Sequence, residues 1–231
     1  MLTVDNVSFS YGSIRTLQDV CMSMNAGEVT CIMGRNGVGK TTLLKNIMGL
    51  LQSSEGSIQI GSQEVTNLSA HRRAKSGLGL VPQGRQIFAK LTVEENLKVG
   101  LQANPKRGAT IPNHVYETFP VLHEMKGRMG GDLSGGQQQQ LAIARALVGD
   151  PKVLLLDEPT EGIQPNIIQQ IGGVLQDLAT QSGMTIILVE QYLDFVREFG
   201  DRFYIMNRGR VVADGTTEQL TDELVSQHLS V

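Results

Sequence analysis

Two cysteines in 231 residues, Cys21 and Cys31, are too few for a disulfide framework and stand at no metal-ligand spacing. Both are expected to pack as small apolar residues in a reducing compartment. No apolar run reaches about 18 residues, which argues against a membrane-spanning helix. The start of the chain has no charged stretch leading into an apolar core, so no export signal is expected. Positive charge is also short, since 20 Lys and Arg against 23 Asp and Glu leave a net charge of −3. Nucleic acid is therefore not an expected partner, because phosphate-backbone binding draws on a clustered basic excess. The densest basic cluster, His71-Arg72-Arg73 with Lys75, reads as a solvated helix face. What is present is length for one large domain, or one with an inserted subdomain, and 40% hydrophobic residues to build its core.

The most informative stretch is Gly34-Arg35-Asn36-Gly37-Val38-Gly39-Lys40-Thr41, which fits G-x-x-x-x-G-K-[ST] at every specified position. Ahead of it, Val29, Cys31, Ile32 and Met33 form a short apolar run predicted to be a buried strand. Behind it, Leu43, Leu44, Ile47, Met48 and Leu51 recur at helical spacing. The glycines let backbone N–H groups approach a phosphate. The helix that opens through Thr41 and Thr42 aims its unsatisfied N–H groups and positive dipole end at the same place. Lys40 is predicted to reach the outer phosphates, and the Thr41 hydroxyl to ligand the Mg2+ that accompanies a nucleoside triphosphate.

Along the chain, Val7 and Phe9 alternate with Ser8 and Ser10 before a Tyr11-Gly12 turn, the pattern of a hairpin. Tyr11 at that turn either stacks on a base or packs ordinarily. Short strands are predicted over 56–60 and over 78–81, the latter ending at Pro82-Gln83. From Thr92 the pattern turns helical, with Glu94 and Glu95 in a first turn. The stretch 104–112 holds two prolines, and Tyr116 to Met125 resumes helical spacing. Residues from about 92 to 146 therefore read as a helical insertion splitting an α/β core. Leu133-Ser134-Gly135-Gly136-Gln137 opens a second helix at a glycine turn, with Gln137 to Gln140 in its exposed first turn. Val153 to Leu156 and Ile186 to Val189 are apolar runs ending in Asp157-Glu158 and Glu190-Gln191. Both read as strands that deliver polar groups to the sheet edge where α/β ligands bind. A hairpin about Arg208-Gly209 and a C-terminal helix over about 217–228 complete the expectation.

The phosphate loop, the Leu-Ser-Gly-Gly-Gln run at 133–137 and the strand into Asp157-Glu158, in that order, resemble the ATP-binding cassette (ABC) ATPase family across essentially the whole chain. The resemblance implies an α/β fold with a P-loop (RecA-like) core at 1–91 and 147–231, an antiparallel β subdomain, and an α-helical subdomain at about 92–146 carrying the signature. It implies ATP and Mg2+ as cofactors. It makes Tyr11 the adenine-stacking aromatic, Lys40 and Thr41 the phosphate and magnesium residues, Gln83 the glutamine that senses magnesium and the attacking water, and Asp157 a holder of the metal's shell. Glu158 is then the general base for γ-phosphate hydrolysis. Ser134, Gly135, Gly136 and Gln137 would bind the γ-phosphate held by a partner subunit, completing each site across a head-to-tail dimer.

Two departures from the family pattern stand out. Gln191 occupies the place of the usual histidine, and Gln164 before Pro165 replaces the usual aspartate. Gln offers a neutral hydrogen bond but neither charge nor proton transfer, so hydrolysis at this chain's own site is expected to be slow. Val189-Glu190-Gln191 and Glu161-Gly162-Ile163-Gln164-Pro165 resemble the branched-chain amino acid importer branch. Gln191-Tyr192-Leu193-Asp194-Phe195 and Gly130-Gly131-Asp132-Leu133 resemble most the urea and short-chain amide importers within it. The implied partners are a homologous ABC ATPase subunit, or a second copy of this chain in isolation, with membrane permease subunits fed by a solute-binding protein. A nucleotide-binding regulatory subunit and a soluble ABC ATPase without a membrane partner are the alternative readings.

Overall fold

The computed structural model describes residues 1–104, 108 and 110–229. The chain opens with a long hairpin, β1 (Leu2–Tyr11) and β2 (Ile14–Met24). Their expected alternation breaks at a bulge: Val4 pairs Met22 while Val7 pairs Val20, and Asn6 takes a φ of 50°. The extra residue flips the strand's polarity, so that Val7 and Ser8 are both buried. It also corrects the reading of Cys21, which is exposed opposite the bulge, where its sulfur accepts from Asn6 N (3.3 Å). Cys31 is buried as expected, and burial with Glu190 and Asp201 nearby pushes its thiol pKa well up.

β3 (Val29–Met33) is buried at every position and feeds α1 (Lys40–Met48). The helix is shorter than its apolar spacing predicts. It stops at Gly49 in the left-handed region (φ 79°), leaving Leu51 beyond its end. β4 (Glu55–Ile60) and β5 (Gln63–Glu64) then join the hairpin to make an antiparallel sheet in the order β2-β1-β4-β5.

α2 (Ala70–Lys75) carries the basic cluster, and here the expectation of a solvated face fails at one residue. His71, Arg72 and Lys75 are exposed, but Arg73 is buried and donates to the carbonyls of Asn46 and Ile47 at the end of α1 and to those of Thr66 and Leu68. Carbonyls left over at a helix end need donors, and the guanidinium fork supplies them.

β6 (Leu78–Val81) is followed by α3 (Val93–Gly100), whose N-terminus is closed by a reciprocal Thr92–Glu95 capping box. Of the irregular stretch 104–112, residues 105–107 and 109 lie outside the described residues. The helix expected over 116–125 is two short ones, α4 (Asn113–Thr118) and α5 (Pro120–Glu124), because Pro120 cannot continue a helix. α6 (Gly135–Leu147) begins at Ser134, again with a capping box, to Gln137. Gln139 and Gln140 are buried rather than exposed, since the third and fourth glutamines rotate onto the core face.

β7 (Val153–Asp157), α7 (Pro165–Ser182), β8 (Thr185–Val189) and α8 (Leu193–Phe199) alternate as parallel crossovers. β9 (Arg202–Asn207) and β10 (Arg210–Thr216) form the final hairpin. The C-terminal helix expected from Thr217 is a single 3-10 turn at Thr217–Gln219, then α9 (Asp222–His228) capped by Thr221. The second sheet runs β10-β9-β3-β8-β7-β6, all parallel except β10. Alternate residues of its strands face two separate apolar clusters. Leu154 and Leu156 join one with α6 and α7, whereas Val153 and Leu155 join another with β1, β2 and α1.

Candidate active site

The parallel strands β3, β7 and β8 end side by side, and each hands its next residues to the same edge. From β3 comes the phosphate loop. Gly34 has a φ of 147°, and a Cβ there would stand 2.5 Å from the Met206 carbonyl oxygen, so only glycine passes this point. Lys40 is buried and folds back on its own loop, donating to the carbonyls of Gly34 (2.7 Å) and Arg35 (3.0 Å). Burial pushes its pKa down, while Glu158, Asp157 and Glu190 pull it back up. The loop then enters α1, whose first N–H groups have no partner within the helix.

From β7 come Asp157 and Glu158. Asp157 Oδ1 accepts from the Thr41 hydroxyl (3.2 Å), and desolvation pushes its pKa up from the ordinary aspartate value. Glu158 has a φ of 49°, a conformation costly for a residue with a Cβ, and is pinned there by its N–H to Val189 O (2.9 Å). Its carboxylate is held from both sides. Gln83 Nε2 donates to one oxygen (2.9 Å) and Gln191 Nε2 to the other (2.5 Å), while Gln191 also donates to Asn36 Oδ1 (2.9 Å).

These groups surround a cavity of about 580 Å3. Of the residues singled out in the sequence, Asn36, Gly37, Gly39, Lys40, Thr41, Thr42, Gln83, Glu158 and Gln191 line it. Gly34, Arg35, Val38 and Asp157 are not among its lining residues. Tyr11 stays outside the lining, exposed at the hairpin tip, with its ring edge-on to Phe9 at 4.8 Å. Ser134, Gly135, Gly136 and Gln137 line a different cavity of about 390 Å3, with Gln164 and Gln170. One chain thus holds a phosphate loop and a signature turn that do not meet.

Thr16, Thr160, Glu161 and Tyr192, which the sequence does not mark as site residues, also line the first cavity, as does Glu190, which the sequence brings to this edge without a role. Glu190 carries a signal in retrospect: an acid directly after five buried residues must find donors.

The donor set fits a nucleoside triphosphate with a hard divalent cation. Among the described residues no group of three or more His, Cys, Asp or Glu could hold a metal unaided. One carboxylate and one hydroxyl beside a phosphate cradle is the set Mg2+ takes when phosphates and water complete its shell. A phosphate loop opposite strand-end acids is the site of a P-loop ATPase.

A family model described as ABC transporter matches residues 17–161, and the chain belongs to that family. It is similar to the Pseudomonas aeruginosa high-affinity branched-chain amino acid transport ATP-binding protein BraG, 41% identical over 94% of this chain and 93% of that one. The probable branched-chain amino acid transport protein LivF of Archaeoglobus fulgidus is 36% identical over 96% and 94% of the two chains. The lipopolysaccharide export protein LptB of Haemophilus influenzae is 34% identical over 98% and 95%. Among solved structures, the ADP conformation of the cassette MJ1267 superposes with a TM-score of 0.84 at 30% identity, covering 98% of this chain and 97% of that one. A dimeric post-hydrolysis cassette, MJ0796 with ADP and Pi, gives 0.83 at 28%, covering 94% and 99%. The chain is therefore an ABC ATPase, of a family whose cassettes bind nucleotide, form dimers and work with membrane permease components. No helix among its described residues is long and apolar enough to cross a membrane itself.

Proposed function

We propose that this chain is the ATP-hydrolysing subunit of a membrane importer for branched-chain amino acids or, more narrowly, urea and short-chain amides. The observation that carries the catalytic part is Glu158, strained in its backbone and gripped by Gln83 and Gln191 above the phosphate loop. A carboxylate so held is placed to orient a water and take its proton. Lys40 exchanges its loop carbonyls for the outer phosphates, and the N–H groups of α1 cradle them. Thr41 and Asp157 would hold Mg2+, whose chemistry is to neutralise charge on the phosphates. Gln83 and Gln191 fix the base, and Tyr11 at the hairpin tip meets the adenine face. The signature turn at Ser134 to Gln137 serves the nucleotide of a facing cassette, so hydrolysis needs a dimer. The segment from about 92 to 146 acts as a helical subdomain, exclusively α and 3-10 in its named elements.

Import is supported by the branched-chain amino acid relatives at 41% and 36% identity. Reconstitution with the homologous ATPase and permease subunits, followed by ATP-dependent uptake of labelled urea, acetamide, leucine and isoleucine, tests the reading. Uptake of any of these that disappears with Glu158→Gln supports it. ATP turnover without uptake, together with lipid release in the manner the lipopolysaccharide-export relatives are named for, replaces it with an exporter.

A further inference from the structure

Glu190 is 2% exposed, its carboxylate accepts four hydrogen bonds, and its charge reaches Lys40 across the cavity without a direct ion pair between them. One oxygen accepts from the N–H (3.1 Å) and hydroxyl (2.6 Å) of Thr160, on the segment that follows Glu158. The other accepts from the N–H groups of Gln191 (2.9 Å) and Tyr192 (3.2 Å). The residue therefore bridges the two loops whose side chains meet at the proposed base. We propose that Glu190 is a positioning residue for ATP hydrolysis: it clasps the loop after β7 to the loop after β8 and so holds Gln191 on Glu158.

Three observations converge on this. Glu158 N–H bonds to Val189 O, so the two loops leave their strands in register, and the clasp closes the next step outward. Glu190 N–H bonds to Ile32 O in β3, which ties the clasp to the strand that feeds the phosphate loop. A buried carboxylate is costly, and one placed where a neutral side chain fits the volume is there for what its second oxygen bonds. Glutamine can present only one acceptor. Its amide nitrogen would meet either the Thr160 N–H or the two N–H groups of Gln191 and Tyr192, so one loop is released.

The inference rests on the reading of Glu158 and Gln191 above. The test measures steady-state ATP turnover in the assembled transporter for wild type, Glu190→Gln, Gln191→Ala and the double variant, with Glu158→Gln as control. Glu190→Gln lowers kcat about ten- to hundredfold, the loss of a bond to a charged group, with KM for ATP changed less than about twofold. In the Gln191→Ala background the same substitution has little left to lose. Thr160→Val, which keeps the backbone bond and the side-chain shape, gives a smaller drop of the same kind. An equal drop from Glu190→Gln in both backgrounds, an effect on KM alone, or no effect overturns the clasp. Amide exchange at Thr160, Gln191 and Tyr192 in the folded Glu190→Gln chain provides an independent reading. One loop's amides must exchange faster, and unchanged protection at all three overturns the proposal. If Glu158→Gln turns over at the wild-type rate, the reading of the base fails instead, whatever Glu190 does.

Discussion

Arg73 offers a stability test whose size follows from its bonds. Its guanidinium is sealed from solvent and donates to the carbonyls of Thr66 (2.6 Å), Asn46 (2.7 Å), Ile47 (2.8 Å) and Leu68 (3.0 Å). No carboxylate accompanies it among these bonds. Burial pushes its pKa down, which means part of the bonding energy offsets desolvation of the charge. Arg73→Met keeps most of the stem volume and removes every donor. The Asn46 carbonyl keeps the Gly49 N–H (3.1 Å), but leaving the others without this donor costs about 1–3 kcal/mol each, and relief of the buried charge returns part of the sum. The net loss is about 3–5 kcal/mol, the sum of several unpaired carbonyls less the relief of the desolvated charge. For a chain of this length that is roughly 6–20 °C in melting temperature, at about 2–4 °C per kcal/mol. Calorimetry of the nucleotide-free chain at fixed concentration reads it directly. Arg73→Lys recovers less than half, because one ammonium cannot span a fork. A loss for Arg73→Met under about 1 kcal/mol would refute the view that this guanidinium holds α1 and α2 together.

Four further outcomes are expected. Glu158→Gln lowers ATP turnover by about two to four decades while ATP binding, measured by a fluorescent analogue, persists; loss of binding with turnover would count against the assignment. Asp157→Asn raises the melting temperature of the nucleotide-free chain at neutral pH, because the folded state raises this carboxyl's pKa. The sign is fixed: the wild-type contribution is full below the ordinary carboxylate range and is lost as pH rises through the raised value, and the variant's melting curve lacks that dependence. Gln191→His gives turnover a new pH dependence centred near about 6.5, and a flat profile between pH 5.5 and 8 would show that the imidazole does not reach the site. Ser134→Ala removes the cap of α6 and costs about 1 kcal/mol by urea denaturation, a value near zero showing that the Gln137 half of the capping box suffices.

The parts of the site legible in the sequence are those that local chemistry dictates. A glycine-rich loop between an apolar strand and an amphipathic helix marks Lys40 and Thr41 as candidates, and both open α1 and line the cavity. A five-residue buried strand ending in Asp157 leaves Glu158 nowhere to go but the sheet edge. What stayed hidden depends on partners distant in sequence. Arg73 looks solvated until the end of α1 arrives above it, 26 and 27 residues earlier in the chain. Cys21 looks apolar until the bulge at Asn6 turns it outward. Gln139 and Gln140 read as surface because composition says nothing about where a helix face points. The split of α4 from α5 follows from Pro120, which ends one helix and starts the next across an unbroken apolar spacing.

The six-stranded sheet is a partition with two interiors rather than one. Side chains alternate across it, so Cys31, Leu154, Leu156, Ile186 and Leu188 belong to one cluster and Ile32, Val153, Leu155, Ile187 and Val189 to the other. A neighbour in sequence is thereby a stranger in packing. Damage to one chamber reaches the other only through the hydrogen-bonded wall, so truncations on opposite sides, such as Ile58→Ala and Leu175→Ala, should sum in their effects as separate compartments do. The edge that carries the phosphate loop, Asp157 and Glu190 is where that wall ends.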